Sequence, residues 1–159
     1  MTKAIYPGTF DPITLGHLNI LEKACTLFDE VILAVAEQTG KDTGFNLEER
    51  FVLCQEATAH MPQVTVTKFQ GLIVDYARSQ GSHIMIRGMR AVSDFEYELA
   101  LALTNKKLNP EVETVFLVPS LRYMYISSSL IRQLASLGAA LEDFVPYCVA
   151  KAMQEKYSG

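Results

Sequence analysis

Five short apolar runs that alternate with helical patterns, and a loop rich in proline and glycine between the first two, predict an α/β protein. The expected architecture is a Rossmann-like, doubly wound, five-stranded parallel sheet with helices on both faces and a C-terminal helical stretch. Runs such as "VILAVA" and "HIMIR" are apolar almost throughout. Strands covered on both faces have no solvent side toward which to alternate, which is why parallel pairing is expected. Residues 1–159 are read as a single domain, long enough to bury about 68–70% of its unfolded surface.

The first strand is "KAIY", from Lys3. "YPGTFDPITLGH", residues 6–17, follows as a loop: Pro7 and Pro12 exclude ladder and helix interior, and Gly8 and Gly16 permit close backbone approach. Leu18, Leu21, Cys25 and Phe28 then recur at helical spacing, with Thr14 placed as the cap. A strand that feeds a glycine-bearing loop and then a helix N-terminus suits an anion. "VILAVA" from Val31 is the second strand, and the next helix starts near Leu47 behind Asn46, with Glu49 completing a capping box. "VTVTKF" from Val64 is the third strand, and its helix stops at Gly81. "HIMIR" from His83 is the fourth, followed by a helix near Asp94 with Ser93 and Glu96 as a second capping box. "TVFLV" from Thr114 is the fifth; the helix after it opens on the serines of "ISSSLIR" and ends at Gly138. "LEDFVPYCVAKAMQEKY" is the terminal helical stretch. Ligands of such sheets lie beyond the carboxyl ends of the strands, which places the chemistry just after Tyr6, Ala36, Phe69, Arg87 and Val118.

Composition narrows the function classes. With 14 Lys and Arg against 18 Asp and Glu, the net charge of -4 argues against a nucleic-acid binder. No run approaches the roughly 18 apolar residues of a membrane span, and the first residues lack a secretory h-region. Cys25, Cys54 and Cys148 are odd in number and lack metal-ligand spacing, which fits free thiols in the cytoplasm. Any anionic ligand must therefore be held by a local cluster. Lys41, Arg87 and Arg90 stand where the fold puts a cleft, though cations at strand ends are often only solvated. Arg122 is equally open. Ser127, Ser128 and Ser129 offer hydroxyls and helix-start amides to a phosphate, or simply an N-cap. His17, in the first turn after the opening loop, could join those amides on one anion, whereas His60 and His83 read as structural or surface residues. There is no G-x-G-x-x-G and no G-x-x-x-x-G-K-[ST], so dinucleotide and P-loop chemistries lack their phosphate cradles.

Thr14-Leu15-Gly16-His17 is similar to the T/H-x-G-H signature of the nucleotidyltransferase superfamily, and "ISSSLIR" resembles its second signature. "YPGTFDPITLGH", "LEERF", "IRGMRAVSDFEYE" and "ISSSLIR", in that order and spacing, resemble the bacterial phosphopantetheine adenylyltransferase family over essentially the whole chain. The resemblance implies that ATP and 4'-phosphopantetheine give dephospho-coenzyme A and pyrophosphate. It implies Mg²⁺ accompanying the nucleotide without a direct protein ligand, a homohexamer, and feedback by coenzyme A. It makes His17 the transition-state stabiliser, with Thr9, Lys41 and Arg90 beside it. Thr9, Lys41, Leu72, Ile73 and Arg87 would hold phosphopantetheine. Thr9, Phe10, His17, Gly88, Met89, Arg90 and Glu98 would hold ATP, with the run Tyr123, Met124, Tyr125, Ile126, Ser127, Ser128 and Ser129 completing that site and its serines at the β and γ phosphates. Asp94 would fix an arginine. Two other readings compete: a sister nucleotidyltransferase acting on nicotinate mononucleotide or using CTP, and a catalytically silent nucleotide-binding or sensor domain. The "RGMRAVSDFEYE" block and "YMYISSS" favour the pantetheine enzyme over the first, and dispensability of His17 would mark the second.

Overall fold

In the computed structural model residues 1–37, 43–90 and 92–158 are described, without the side chains of 92 and 93. Five strands form one parallel sheet: β1 Lys3–Gly8, β2 Glu30–Ala36, β3 Val64–Phe69, β4 Ile84–Gly88 and β5 Glu113–Leu117, in the order β3-β2-β1-β4-β5. Between and after them run α1 Leu15–Leu27, α2 Leu47–Ala57, α3 Ile73–Ser79, α4 Val92–Leu108, α5 Ser128–Ser136 and α6 Tyr147–Tyr157. The alternation read from the sequence is thus the alternation of the fold. No helix among the described residues is long and apolar enough to cross a membrane.

Strand periodicity sorts the side chains into two layers. Ala4, Tyr6, Val31, Leu33, Val35 and Ile86 face one core, completed by α1, α2, α5 and α6. Ile5, Ile32, Ala34 and Met85 face the other, against Val74 and Ala77 of α3. In α1 the buried residues are Leu18, Ile20, Leu21 and Ala24. Each fully buried leucine or isoleucine there contributes about 1.5–3 kcal/mol.

The local signals end where the sequence says they should, apart from the stretch "LEDFVPYCVAKAMQEKY", which is helical only from Tyr147 behind Pro146, and two further exceptions. Thr14 and Asn46 cap α1 and α2, each in a reciprocal capping box. Gly81 and Gly138 take φ of 68° and 79° just past α3 and α5. In each case the glycine amide and the next amide bond back to the helix: Gly81 to Arg78 and Ser82 to Ala77, Gly138 to Ala135 and Ala139 to Leu134. Ser93 is the first exception: α4 already starts at Val92, so Ser93 lies inside the helix rather than capping it. Pro7 is the second, because β1 continues through it to Gly8, paired with Ala34 and Val35 of β2. The proline costs no ladder bond. Its carbonyl faces β4, where it accepts from the Arg87 guanidinium at 3.1 Å, and β1 pairs with β4 only at Ile5 and Met85. The edge on which Pro7 lacks an N–H is therefore the edge where the two strands have already parted.

Candidate functional site

That parting is the switch point of the sheet: β2 and β3 continue to one side of β1, β4 and β5 to the other. A crevice of about 430 Å³ opens there, beyond the carboxyl ends of β1 and β4, as the topology requires. Its walls come from Tyr6 to Asp11, from Thr14, Gly16 and His17 at the start of α1, from Arg87, Gly88 and Arg90 after β4, and from Ile126 to Ser129 before α5.

The opening loop is shaped from within. Phe10 sits at φ 50°, a left-handed conformation that costs a non-glycine residue of order 1–3 kcal/mol. Its buried ring packs edge-on against Tyr6 and His17, with centroids 5.3 and 4.9 Å away. A Cβ at position 8 would come within 3.0 Å of that ring, so Gly8 is what lets it fold under the loop. His17 is the third residue of α1 and closes the cap with its side chain: Nδ1 accepts from the Thr14 amide at 3.0 Å, while the His17 amide donates to Thr14 Oγ1. An Nδ1 that accepts from a backbone N–H carries no proton, so the neutral ring holds its proton on Nε2. Burial, reinforced by the charges of Arg90 and Arg87, holds the imidazole down to about 3 from its usual 6.5. His17 is therefore a neutral N–H donor throughout the physiological range.

That depression has a consequence for folding. Below pH 6.5 the unfolded chain takes up a proton at His17 that the folded chain refuses until about pH 3. The unfolded state then binds more protons, so this contribution to stability is complete above 6.5 and is lost as pH falls through the window. We expect the thermal midpoint, followed by circular dichroism, to drop between pH 7 and pH 5, and His17→Asn to flatten part of that drop.

Two arginines stand opposite, each set by a carboxylate on α4. Arg87 Nε and Nη2 meet the two oxygens of Glu98, both at 2.8 Å. Burial alone would lower the Arg87 pKa, but the Glu98 hydrogen bonds and charge outweigh it and raise the value. Arg90 Nε donates to Asp94 at 3.1 Å and its Nη1 to the Ile126 carbonyl at 2.7 Å, which ties the end of β4 to the approach to α5. Asp94 thus fixes an arginine as the sequence reading expects. Both Glu98 oxygens are engaged by Arg87, and Glu98 lines the crevice beside it.

The serine turn divides its labour differently from a row of phosphate-facing hydroxyls. Ser127 Oγ caps α5 by accepting from the Leu130 amide at 3.2 Å, and Ser128 Oγ donates to the Pro12 carbonyl at 2.8 Å. What faces outward is backbone: the amides of Ser128 and Ser129 have no acceptor among the described residues. Arg132, one turn on, donates to Ser129 Oγ at 3.3 Å and lines the crevice. Ser127→Ala should therefore cost about 1 kcal/mol of stability as a lost cap, measurable by urea denaturation, and Ser127→Gly only a few tenths.

Other residues expected in the site are not part of this crevice's lining. Leu72 is exposed and Ile73 packs on the second core, both at the start of α3 and outside the crevice lining. Met89 is bonded through its amide to Leu117, Tyr123 packs on the main core, Met124 ends a short 3₁₀ turn, and Tyr125 is exposed beside Phe144. Arg122 lies over the Tyr123 ring. Lys41 lies outside the described residues. Three residues went unread. Asp11, buried, accepts from the Gly44 and Phe45 amides and stands 3.7 Å from Arg132. Arg50, also buried, bonds among the described residues only to backbone carbonyls. Arg132 itself was legible as the last letter of "ISSSLIR".

The cytidylyltransferase-like family matches residues 5–134 of this chain. Over 157 residues, 99% of the chain, it is 48% identical to proteins named phosphopantetheine adenylyltransferase in Desulforudis audaxviator, Dictyoglomus thermophilum and Caldanaerobacter subterraneus subsp. tengcongensis. The match covers 96%, 96% and 98% of those proteins.

Proposed function

The chain belongs to the cytidylyltransferase-like family, and within it to the phosphopantetheine adenylyltransferases, and we propose that it transfers the adenylyl group of ATP to 4'-phosphopantetheine, releasing dephospho-coenzyme A and pyrophosphate. One observation carries the mechanistic reading: a half-buried neutral imidazole, its proton fixed on Nε2, lines a crevice that also holds Arg87 and Arg90.

A phosphate monoester with a second pKa near 6 is largely dianionic at neutral pH. Its oxygen can attack the α-phosphorus in line, forming the new O–P bond as the bond to the pyrophosphate oxygen breaks. No proton has to be removed, so the site needs no general base. It needs placement and charge stabilisation. His17 donates to an α-phosphate oxygen as charge shifts there. Arg90, held by Asp94 and Ile126, and the amides of Ser128 and Ser129 take the triphosphate, with Arg132 at its far end. Arg87, its Glu98 side occupied, and Lys41 receive the acceptor phosphate.

Among the described residues no three His, Cys, Asp or Glu side chains converge as a metal site. The crevice carboxylates of Asp11, Asp94 and Glu98 are already bonded to amides or arginines. Such a donor set fits Mg²⁺ carried on the triphosphate oxygens, with most of its waters kept. When bound, the ion neutralises part of the triphosphate charge. Self-association, as a homohexamer in this reading, is supported only as far as the apolar face that α4 leaves uncovered, where Phe95 is 48% and Leu103 62% exposed.

The test is pyrophosphate release from ATP with phosphopantetheine, with nicotinate mononucleotide, and with buffer alone. Release with phosphopantetheine only is the expected result. Release with nicotinate mononucleotide would move the chain to a sister activity, and none with any acceptor would make it a silent binding domain.

A further inference from the structure

Arg50 is 2% exposed in the first turn of α2, and every acceptor it meets among the described residues is a backbone carbonyl. Its Nε donates to Phe45 at 3.1 Å, and its Nη1 to Thr9 at 2.7 Å and to Ala36 at 2.8 Å. No ion pair joins it to a carboxylate among the described residues. The three carbonyls belong to three segments: the ligand-facing loop after β1, the last residue of β2, and the residue before the α2 cap. Asp11, from the same loop, binds the Gly44 and Phe45 amides at 2.7 and 2.9 Å. Phe45 is thus gripped at both its N–H and its C=O, and the opening loop is tied twice to the chain entering α2.

A buried cation with no directly paired carboxylate, only the charge of Asp11 nearby, is a costly way to fill space, because a long apolar side chain would occupy the same volume without losing hydration. What the guanidinium adds is geometry: a planar fork serves several carbonyls at fixed angles, and an ammonium does not. We infer that Arg50 is a positioning residue for the transfer reaction, holding the Thr9 peptide against the end of β2 so that the ligand-facing side of the opening loop keeps its place as both substrates enter. This rests on the adenylyl-transfer reading.

The experiment uses the full chain as Arg50→Lys and Arg50→Met, with two readouts. Without ligand, hydrogen exchange should quicken about tenfold or more in peptides covering residues 8–11 and 43–46, while β3 and α6 exchange as in the parent. In steady state, kcat/KM for phosphopantetheine should fall about tenfold to a hundredfold, with kcat falling too, and the calorimetric Kd for ATP should move less than about threefold. Unchanged exchange at both peptides, or a uniform rise through the fold, overturns the inference. So do kinetic constants within about twofold of the parent, or failure of both variants to fold, which would leave Arg50 a residue of stability alone. If the parent transfers no adenylyl group, the adenylyl reading falls separately, and the exchange pattern still decides whether Arg50 ties the loop.

Discussion

Replacing His17 with alanine should cut turnover about 10²- to 10³-fold while the affinities for ATP and phosphopantetheine stay within a few-fold, because one preorganised donor aimed at developing charge is worth that much. The same ring also closes the α1 cap through Thr14, and losing a cap costs about 0.5–2 kcal/mol, so alanine alone confounds catalysis with stability. His17→Gln separates them. A glutamine three residues after a threonine N-cap can accept from the cap amide, which restores the capping box, but its amide is then drawn back to the cap and away from the crevice. We expect the glutamine variant to melt near the parent and to remain as slow as the alanine variant. The pH profile adds an independent check. Any rate limb near pH 6 belongs to the acceptor phosphate and should persist in both variants, whereas a base would take its own limb with it. Alanine-variant turnover within a few-fold of the parent would remove His17 from the chemistry.

What the sequence made legible was whatever is settled within about one turn of chain. Thr14 and Asn46 announce helix starts, and Gly81 and Gly138 announce stops, because caps are made by neighbours. The crevice position followed from strand alternation alone. What was not legible depends on partners far along the chain. Arg50 shows no role in the sequence beyond its place in "LEERF", because its acceptors Thr9 and Ala36 lie 41 and 14 residues away. Asp11 went unread for the same reason, its partner amides being 33 and 34 residues on. Pro7 was misread for a related reason: whether a proline breaks a ladder depends on which neighbour its edge faces, and here that neighbour has already diverged. The serines line the crevice, but the hydroxyls of Ser127 and Ser128 serve Leu130 and Pro12 and that of Ser129 accepts from Arg132, a division only the folded chain reveals.

Arg87→Ala should show two losses that a second substitution can pull apart. Glu98 is 7% exposed and both its oxygens are bonded to Arg87, so removing the guanidinium strands a buried carboxylate. Breaking such a pair costs about 3–5 kcal/mol, and the partial exposure of Arg87 places this case toward the lower end. Against a typical net stability of about 5–15 kcal/mol, that is a large fall in urea midpoint. The second loss is acceptor binding: one charge-assisted bond to phosphate contributes about 1.5–3 kcal/mol, or roughly tenfold to more than a hundredfold in affinity. Replacing the pair together, Arg87→Met with Glu98→Leu, removes both charges and refills the volume, a change that is often neutral or stabilising. The double variant should recover the parent's urea midpoint, still bind phosphopantetheine as weakly as Arg87→Ala, and keep its ATP affinity within a few-fold. Calorimetry on the refolded double variant decides the assignment, because acceptor affinity that returned along with stability would make Arg87 a strut for β4 and leave the acceptor phosphate to other cations.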